Sequence, residues 1–376
     1  PEDRAALFSI CLLTADAGAD ASALYSDPDY PGLVWSVPYL EFAPEHAFVL
    51  EDQGAVIGYG FISGKGHLPA YLQRAKEQND VEIVAVADIC EARRNQAQEA
   101  LPKARIYSDY KALLEAEKAL DFVDISTPPC DHAAIAHAAF DKGLHVLCEK
   151  PLTPTLEEAA SLMEHARKAK RVLFPCHNYK HAPVVKTIRE IIASGRIGKV
   201  TSLTLNTYRN THAKGVTEWK TNWRREKKYS GGGIAMDHGS HTFYLTFDWL
   251  GTYPTAVTAK MATAGQYDTE DNFTAVLSFP NGTAHAHLTW TAGVRKVIYT
   301  VQGERGAITV DDDDLQLAVM RGTGGPDVAQ GAVTWDVEKK SIASNWMDAS
   351  HVSWFNSLFD QFKKAIQEAD FVGKEA

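Results

Sequence analysis

The sequence predicts an α/β domain on a parallel sheet, followed by an α+β domain with a large, mostly antiparallel open sheet. Three observations predict it. Between residues 53 and 175, short apolar runs alternate with helical segments, the pattern of strands covered by helices on both faces. After Pro175 the alternation stops and long strand-like runs with turn signals take over. The length, 376 residues, is more than one ordinary core accommodates.

Taken in order, Ala55, Val56 and Ile57 form a short apolar strand that ends in Gly58. Residues 65–78 have helical composition, with Leu68, Tyr71, Leu72 and Ala75 on one face. Residues 81–87 read as a strand and 91–100 as a helix. Residues 121–126 are the next strand, closed by Thr127-Pro128-Pro129, and 130–142 a helix stopped by Gly143. Then come a strand at 145–148, a helix at 156–170 and a strand at 171–174. In the second half, 182–194 reads as one helix ended by Gly195. Strands are expected at 200–208, 255–262, 272–279, 283–289 and 297–301, with Pro280-Asn281-Gly282 as a hairpin turn. Residues 311–314, all aspartate, read as a solvated turn, since EF-hand spacing is absent. An amphipathic helix at 352–368 closes the chain. The expected division is an appendage at 1–52, a dinucleotide-binding domain at 53–175, and an α+β domain at 176–376 that includes the closing helix.

Composition excludes several function classes. The net charge is -10 with no basic stripe, which argues against nucleic acid or anionic membrane as the main partner. No apolar run reaches the roughly 18 residues that span a bilayer. The cysteines, Cys11, Cys90, Cys130, Cys148 and Cys176, are odd in number and lack CxxC spacing. A reduced, cytoplasmic protein is the expectation. The start at Pro1 suggests a trimmed or incomplete N-terminus, and no signal peptide opens the chain.

The turn Gly58-Tyr59-Gly60-Phe61-Ile62-Ser63 lies between a strand and a helix. A dinucleotide pyrophosphate needs close backbone approach and amide donors at a helix start. Gly58 permits the tight turn, Gly60 lets phosphates come near, and Ser63 stands where Gly or Ala is usual. Asp88 ends the next strand, further from Gly60 than the usual ~20 residues. Its carboxylate suits ribose hydroxyls and repels a 2′-phosphate, so NAD is favoured over NADP. Arg93 and Arg94 follow it and could meet a phosphate.

Lys150 sits just after an apolar strand in Cys148-Glu149-Lys150-Pro151, and Asp237 and His241 lie at i, i+4 on a helical segment. Oxidising an alcohol releases a hydride from carbon and a proton from oxygen, so it needs a base at the oxygen, a role that suits histidine. A nearby ammonium stabilises developing alkoxide charge. His177 and Tyr179 follow the last parallel strand, where loops meet the crevice. Tyr208, Trp219, Trp223 and Tyr229 precede Gly231-Gly232-Gly233 and could stack on sugar carbons. His285 and His287 share a strand face but lack a third ligand, so no metal site is expected.

Gly58-Tyr59-Gly60, Ser126-Thr127-Pro128-Pro129 with His132, Glu149-Lys150-Pro151, and the glycine run followed by Asp237 and His241 resemble the glucose–fructose oxidoreductase/inositol dehydrogenase/rhizopine catabolism (Gfo/Idh/MocA) family. The resemblance covers roughly residues 55–367. It implies a Rossmann domain, then an α+β domain whose open sheet often forms a homo-oligomer interface. It implies hydride transfer between NAD(P) and a secondary alcohol of a polyol, sugar or cyclitol. Lys150 would sit between nicotinamide and substrate, with Pro151 often joined through a cis peptide. Gly58, Gly60, Phe61, Ile62, Ser63, Asp88, Thr127, Pro128, His132 and Glu149 would border the cofactor. Asp237, His241, His177 and Tyr179 would contact substrate, with His241 accepting the proton. Alternatives are a non-catalytic nicotinamide sensor and a redox-neutral enzyme that retains NAD.

Residues 1–57 resemble the truncated opening of a GCN5-related N-acetyltransferase, with residues 48–50 and 55–59 as its hairpin. The second of those strands is also the first Rossmann strand, and the acetyl-CoA pyrophosphate loop is missing. This segment is therefore expected to be an appendage without transferase activity, packed outside the sheet or poorly ordered.

Overall fold

The computed structural model describes residues 52–322, 334–343 and 351–373. The appendage, and with it residues 48–50 of the proposed hairpin, lies outside the described residues. The first sheet has strands β1 (Asp52–Ile57), β2 (Val81–Ala87), β3 (Arg105–Tyr107), β4 (Phe122–Ile125), β5 (His145–Cys148) and β6 (Leu173–Pro175). They run parallel in the order β3-β2-β1-β4-β5-β6. Gly54 to Ile57 pair with β2 on one side and β4 on the other, so both edges of that stretch are taken. The strand order reverses between β1 and β4, which opens a crevice at their C-terminal ends.

Helices α1 (Leu68–Glu77), α2 (Glu91–Ala100), α3 (Tyr110–Ala116), α4 (Pro129–Asp141) and α5 (Leu156–Ala169) connect these strands. A wide turn at Ser63–His67 precedes α1, where the sequence suggests helix from residue 65. β3 and α3 are additions to the sequence reading: Arg105-Ile106-Tyr107 is too short to show periodicity. Asp109 caps α3, its carboxylate accepting from the Lys111 and Ala112 amides.

The second sheet follows helix α6 (Pro183–Ala193) and contains β7 (Val200–Tyr208), β8 (Ala256–Ala262), β9 (Asn272–Phe279), β10 (Gly282–Thr289), β11 (Lys296–Gly303), β12 (Gly306–Asp311), β13 (Asp314–Met320) and β14 (Trp335–Ser341). Its order is β14-β13-β12-β11-β7-β10-β9-β8. Only β7 and β10 pair in parallel; the other neighbours are antiparallel. In β9, Phe273, Ala275, Leu277 and Phe279 point inward, and Thr274, Val276 and Ser278 face out. The inner face packs on α6 and on α7 (Gly239–Leu250) through Val184, Ile188, Leu245 and Trp249. The aspartate run forms the tight β12–β13 hairpin turn, with Asp312 left-handed at φ 54.

The closing helix, α8 (Val352–Gln367), packs on both domains: its Trp354 enters the core of the second sheet. Its Leu358, Phe359 and Phe362 enter the first sheet's core with Val56, Tyr71, Phe122 and Phe174. Each such buried side chain contributes roughly 1.5–3 kcal/mol. Ion pairs from Arg74 to Asp360 (2.6 Å) and from Lys363 to Asp80 (3.0 Å) fix the helix at its flank. The chain therefore crosses to the second sheet and returns, and α8 joins the two cores.

Candidate active site

β1 delivers Gly58 at φ +91, where a Cβ would lie 2.8 Å from both Thr127 Cγ2 and the Thr127 amide nitrogen. Only glycine fits that approach. At Gly60 a Cβ would meet nothing nearer than the Ser126 carbonyl at 3.8 Å, so the turn stays open above it. Asp88 stands at the end of β2. Its two carboxylate oxygens accept the Tyr59 and Cys90 amides, each at 2.7 Å. Burial pushes its carboxyl upward in pKa, opposed by those amides, Arg93 and Arg94. Gly58, Gly60, Asp88, Thr127 and Pro128 line a cavity of ≈ 570 Å³. Room, a glycine-only approach and a carboxylate at the β2 end match the needs of a dinucleotide. Ser63 is fully buried in the turn below.

A second cleft, ≈ 280 Å³, continues from the first, and Thr127, Pro128 and Trp219 border both. Phe61, Ile62, Glu149, Lys150, Tyr179, Asp237 and His241 all line it. Residues from the first sheet and from the second half of the chain thus share one space.

Lys150 leaves β5 through a cis Lys150–Pro151 bond. Its Nζ donates to Asp237 Oδ1 at 3.1 Å and to the Asp237 carbonyl at 3.0 Å. Arg224 Nε stands 3.5 Å from the same Oδ1, and His238 Nδ1 is 3.4 Å from Oδ2. Burial would raise the Asp237 pKa, but Lys150 and Arg224 outweigh it and hold the carboxyl well below its usual range. Asp237 ends a short helix, Ile234–Asp237, and His241 lies in the first turn of α7. The two therefore sit on successive helices broken at His238, not on one continuous helix. The short helix is anchored at its start by Gly233, where a Cβ would fall 1.7 Å from the Glu270 carbonyl oxygen. The Glu270 carboxylate also accepts the Gly233 and Ala235 amides, each at 2.9 Å.

His241 is buried, and its ring stacks on Tyr179 at 3.7 Å with an interplanar angle of 11°. Its Nδ1 lies 2.6 Å from the Tyr244 hydroxyl, which accepts the Tyr179 amide at 3.1 Å. Burial, Lys150 and His238 all lower its pKa, so the ring is neutral at pH 7. His177 stacks on Tyr244 at 4.2 Å. It backs the site rather than lining the cleft, because Tyr244 stands between it and His241.

Three expected contacts move. His132 is fully buried, with Nε2 2.8 Å from the Thr127 carbonyl and Nδ1 3.0 Å from the Pro151 carbonyl. It ties the Thr127 loop to the Lys150–Pro151 turn and forms no wall of the cofactor cavity. Burial lowers its pKa and keeps it neutral. Tyr208 packs on His287 at 5.5 Å on the outer face of the second sheet. Trp219 and Trp223 do line the cleft, and Tyr229 meets Trp219 edge-on at 5.7 Å.

Sequence reasoning missed His67. It is buried with Nδ1 2.7 Å from Asp124 and Nε2 3.0 Å from Glu149. Burial alone would lower its pKa; the two carboxylates outweigh that and push it up to about 10. His67 is therefore an imidazolium bridging two acids. Tyr71 also donates to Asp124 at 2.8 Å, and Glu149 Oε2 accepts the Lys150 amide at 3.1 Å. Only the chain's later course brings these groups together, so no local motif could have signalled them.

The strand order, the glycine turn and the acid of β2 define a Rossmann dinucleotide-binding protein with a second, sheet-based domain. Residues 53–177 match the model described as "Oxidoreductase family, NAD-binding Rossmann fold", and residues 185–309 match the "GFO/IDH/MocA C-terminal domain". The chain belongs to this GFO/IDH/MocA oxidoreductase family, and its first domain is an NAD-binding Rossmann domain. It is 30% identical to D-glucoside 3-dehydrogenase of Escherichia coli over 61% of this chain and 67% of that protein. It is 30% identical to D-xylose 1-dehydrogenase (NADP(+)) 2 of Haloferax volcanii over 60% of this chain and 66% of that one. These matches span about two thirds of the relatives' own length. Among solved structures, levoglucosan dehydrogenase in complex with NADH is similar at TM-score 0.72 and 22% identity, covering 85% of this chain and 90% of that one. At that identity the likeness concerns the fold.

Among the described residues no helix is long and apolar enough to cross a membrane.

Proposed function

We propose that this protein is an NAD-dependent dehydrogenase for a secondary alcohol of a sugar, cyclitol or related polyol. The observation that carries this reading is the convergence of Lys150, Asp237 and His241 on one cleft that adjoins the dinucleotide cavity. Relatives named as dehydrogenases of glucosides, xylose and levoglucosan support the sugar class.

The Gly58–Ser63 turn would hold the pyrophosphate through its amides, and Asp88 the adenosine ribose. Bound NAD supplies the hydride acceptor. Lys150 Nζ donates to the substrate hydroxyl oxygen and stabilises the charge that develops as its proton leaves. Asp237 holds that ammonium in place and accepts from a neighbouring substrate hydroxyl. His241 takes the proton at Nε2. It does so with Nδ1–H donated to the Tyr244 oxygen, whose other lone pair receives the Tyr179 amide. The lowered pKa keeps His241 in its free-base form at neutral pH, at the cost of weaker basicity.

The test is a panel of sugars, cyclitols and polyols with NAD, following NADH absorbance. At least one member should reduce NAD, with one NADH formed per alcohol oxidised. A protein that binds NAD yet reduces none would be a sensor instead. Cofactor choice is tested at Asp88. Asp88→Ser should raise KM for NAD about 10- to 100-fold, the effect expected of hydrogen bonds to a charged group, and narrow its advantage over NADP. An unchanged KM ratio would remove Asp88 from cofactor selection.

We further propose a cytoplasmic location and homo-oligomerisation. The described cysteines, Cys90, Cys130, Cys148 and Cys176, are free thiols, as a reducing compartment allows. The outer face of the second sheet, with Val276, His285 and His287 exposed, would meet a second copy.

A further inference from the structure

We propose that the substrate is acidic: the alcohol that this cleft accepts carries a carboxylate or phosphate group, gripped by Lys214 and Arg224. This rests on the dehydrogenase reading and names its substrate class.

Charge is the first argument. The chain as a whole carries a net -10. Yet among the described residues the lining of this cleft holds Lys150, Lys214 and Arg224, besides Arg295, against Glu149 and Asp237. Both carboxylates are already matched. Glu149 faces the His67 imidazolium at 3.0 Å, and Asp237 faces Lys150 at 3.1 Å. Arg224 stands 3.5 Å from Asp237 as a second cation on one carboxylate. Lys214 is exposed and has no acidic partner among the described residues. Arg295 has interactions of its own: Tyr179 and Asp312 act on it against burial and the like charge of Arg209, so it adds nothing to this excess. His238 and His241 are neutral and do not change the balance.

Hydrogen-bond chemistry is the second argument. A neutral sugar presents hydroxyls, each of which wants an acceptor as well as a donor. Lysine and arginine side chains only donate. Ser126, Thr127, Asn178 and Ser230 can accept elsewhere in the cleft, but Lys214 and Arg224 offer donors alone. Anionic oxygens only accept, and a planar guanidinium meets them two at a time. Arg224 is also fixed for this role: its guanidinium lies over the Trp223 ring at 4.2 Å, and Nη1 donates to the Ala213 carbonyl at 3.1 Å. Trp219 and Trp223 then offer apolar faces to ring carbons. The acid group would sit toward Lys214 and Arg224, and the reacting hydroxyl at Lys150 and His241.

The test compares D-glucose, D-glucuronate, D-gluconate and D-glucose 6-phosphate with NAD. Alongside it, calorimetric titration of the same four ligands is run into the NADH-loaded protein. The acidic ligands should bind, and where turned over react, about 10- to 100-fold better than glucose, the range for one charge-assisted contact. The uronate and phosphate arms separate the two sources of charge. Lys214→Ala should cut that preference about tenfold, and added salt should weaken it. Selective binding of an acid without turnover would keep the acidic-ligand claim and sink the dehydrogenase reading. Equal or better binding of glucose would overturn the acidic-ligand claim and leave the dehydrogenase reading standing. If Lys214→Ala instead raises KM for NAD and leaves the acid preference intact, the cation serves the cofactor and the inference falls.

Discussion

Lys150→Ala should lower kcat by about 10²–10⁴ while NAD affinity stays within a few-fold of wild type. The size follows from removing the donor at the reacting oxygen, a contribution typically of that order for a positioned proton-transfer or charge-stabilising group. The fold should survive. Asp237 keeps Arg224 at 3.5 Å and His238 at 3.4 Å, so its carboxylate is not left without a cation. Lys150 also lies outside the hydrophobic clusters that hold the two sheets. The cofactor cavity, built on Gly58, Gly60 and Asp88, does not include the Lys150 side chain. Steady-state rates on the best substrate, with NAD binding measured by calorimetry, check both halves. His241→Asn should show the same split, because Nε2 is lost as a proton acceptor while the amide can still reach Tyr244. A variant at Lys150 with a wild-type rate would remove the mechanism.

Much of this was legible in the sequence, and the limits have physical causes. The glycine turn could be read because Gly58 answers a local constraint, a backbone too close to Thr127 for any Cβ, and Gly60 leaves the turn open above it. The strands of the first sheet other than β3 could be read because burial on both faces leaves continuous apolar runs. Lys150, Asp237 and His241 could be read from motif chemistry, although the helix break at His238 could not. No local pattern marks it, and the Glu270 carboxylate that anchors the start of the short helix at Gly233 lies 37 residues further along the chain. The return of α8 was equally hidden. An amphipathic helix shows that it has a buried face, not which sheet buries it, and only contacts such as Arg74 to Asp360 decide. His177 and Tyr179 could not be separated in sequence. Their roles differ because a short helical turn at Asn178–His181 sets one ring on Tyr244 and the other on His241.

His67→Leu should destabilise the protein by about 3–5 kcal/mol, the usual cost of removing one partner from a buried ion pair. Leucine fills the space against Phe355, whose ring lies 4.3 Å from that of His67. It cannot donate to Asp124 or Glu149. Asp124 would keep Tyr71 at 2.8 Å and Ser126 at 3.2 Å, and Glu149 the Lys150 amide at 3.1 Å. Neither would keep the cation. The pH dependence has a definite sign. The imidazolium pKa is about 10 in the folded protein, against roughly 6.5 when unfolded. The folded state thus holds a proton that the unfolded state releases first, so stability falls as pH rises across that interval. His67's contribution is complete below about pH 6.5 and is lost progressively toward pH 10. Urea unfolding from pH 6 to 10 should therefore show wild type losing stability over this range, and His67→Leu losing distinctly less. Parallel curves for the two proteins would mean that His67 is neutral and bridges by hydrogen bonds alone. Glu149 precedes Lys150, so a loosened carboxylate should also reach the reaction. The variant's kcat should fall at pH 7, even at temperatures where the protein remains fully folded.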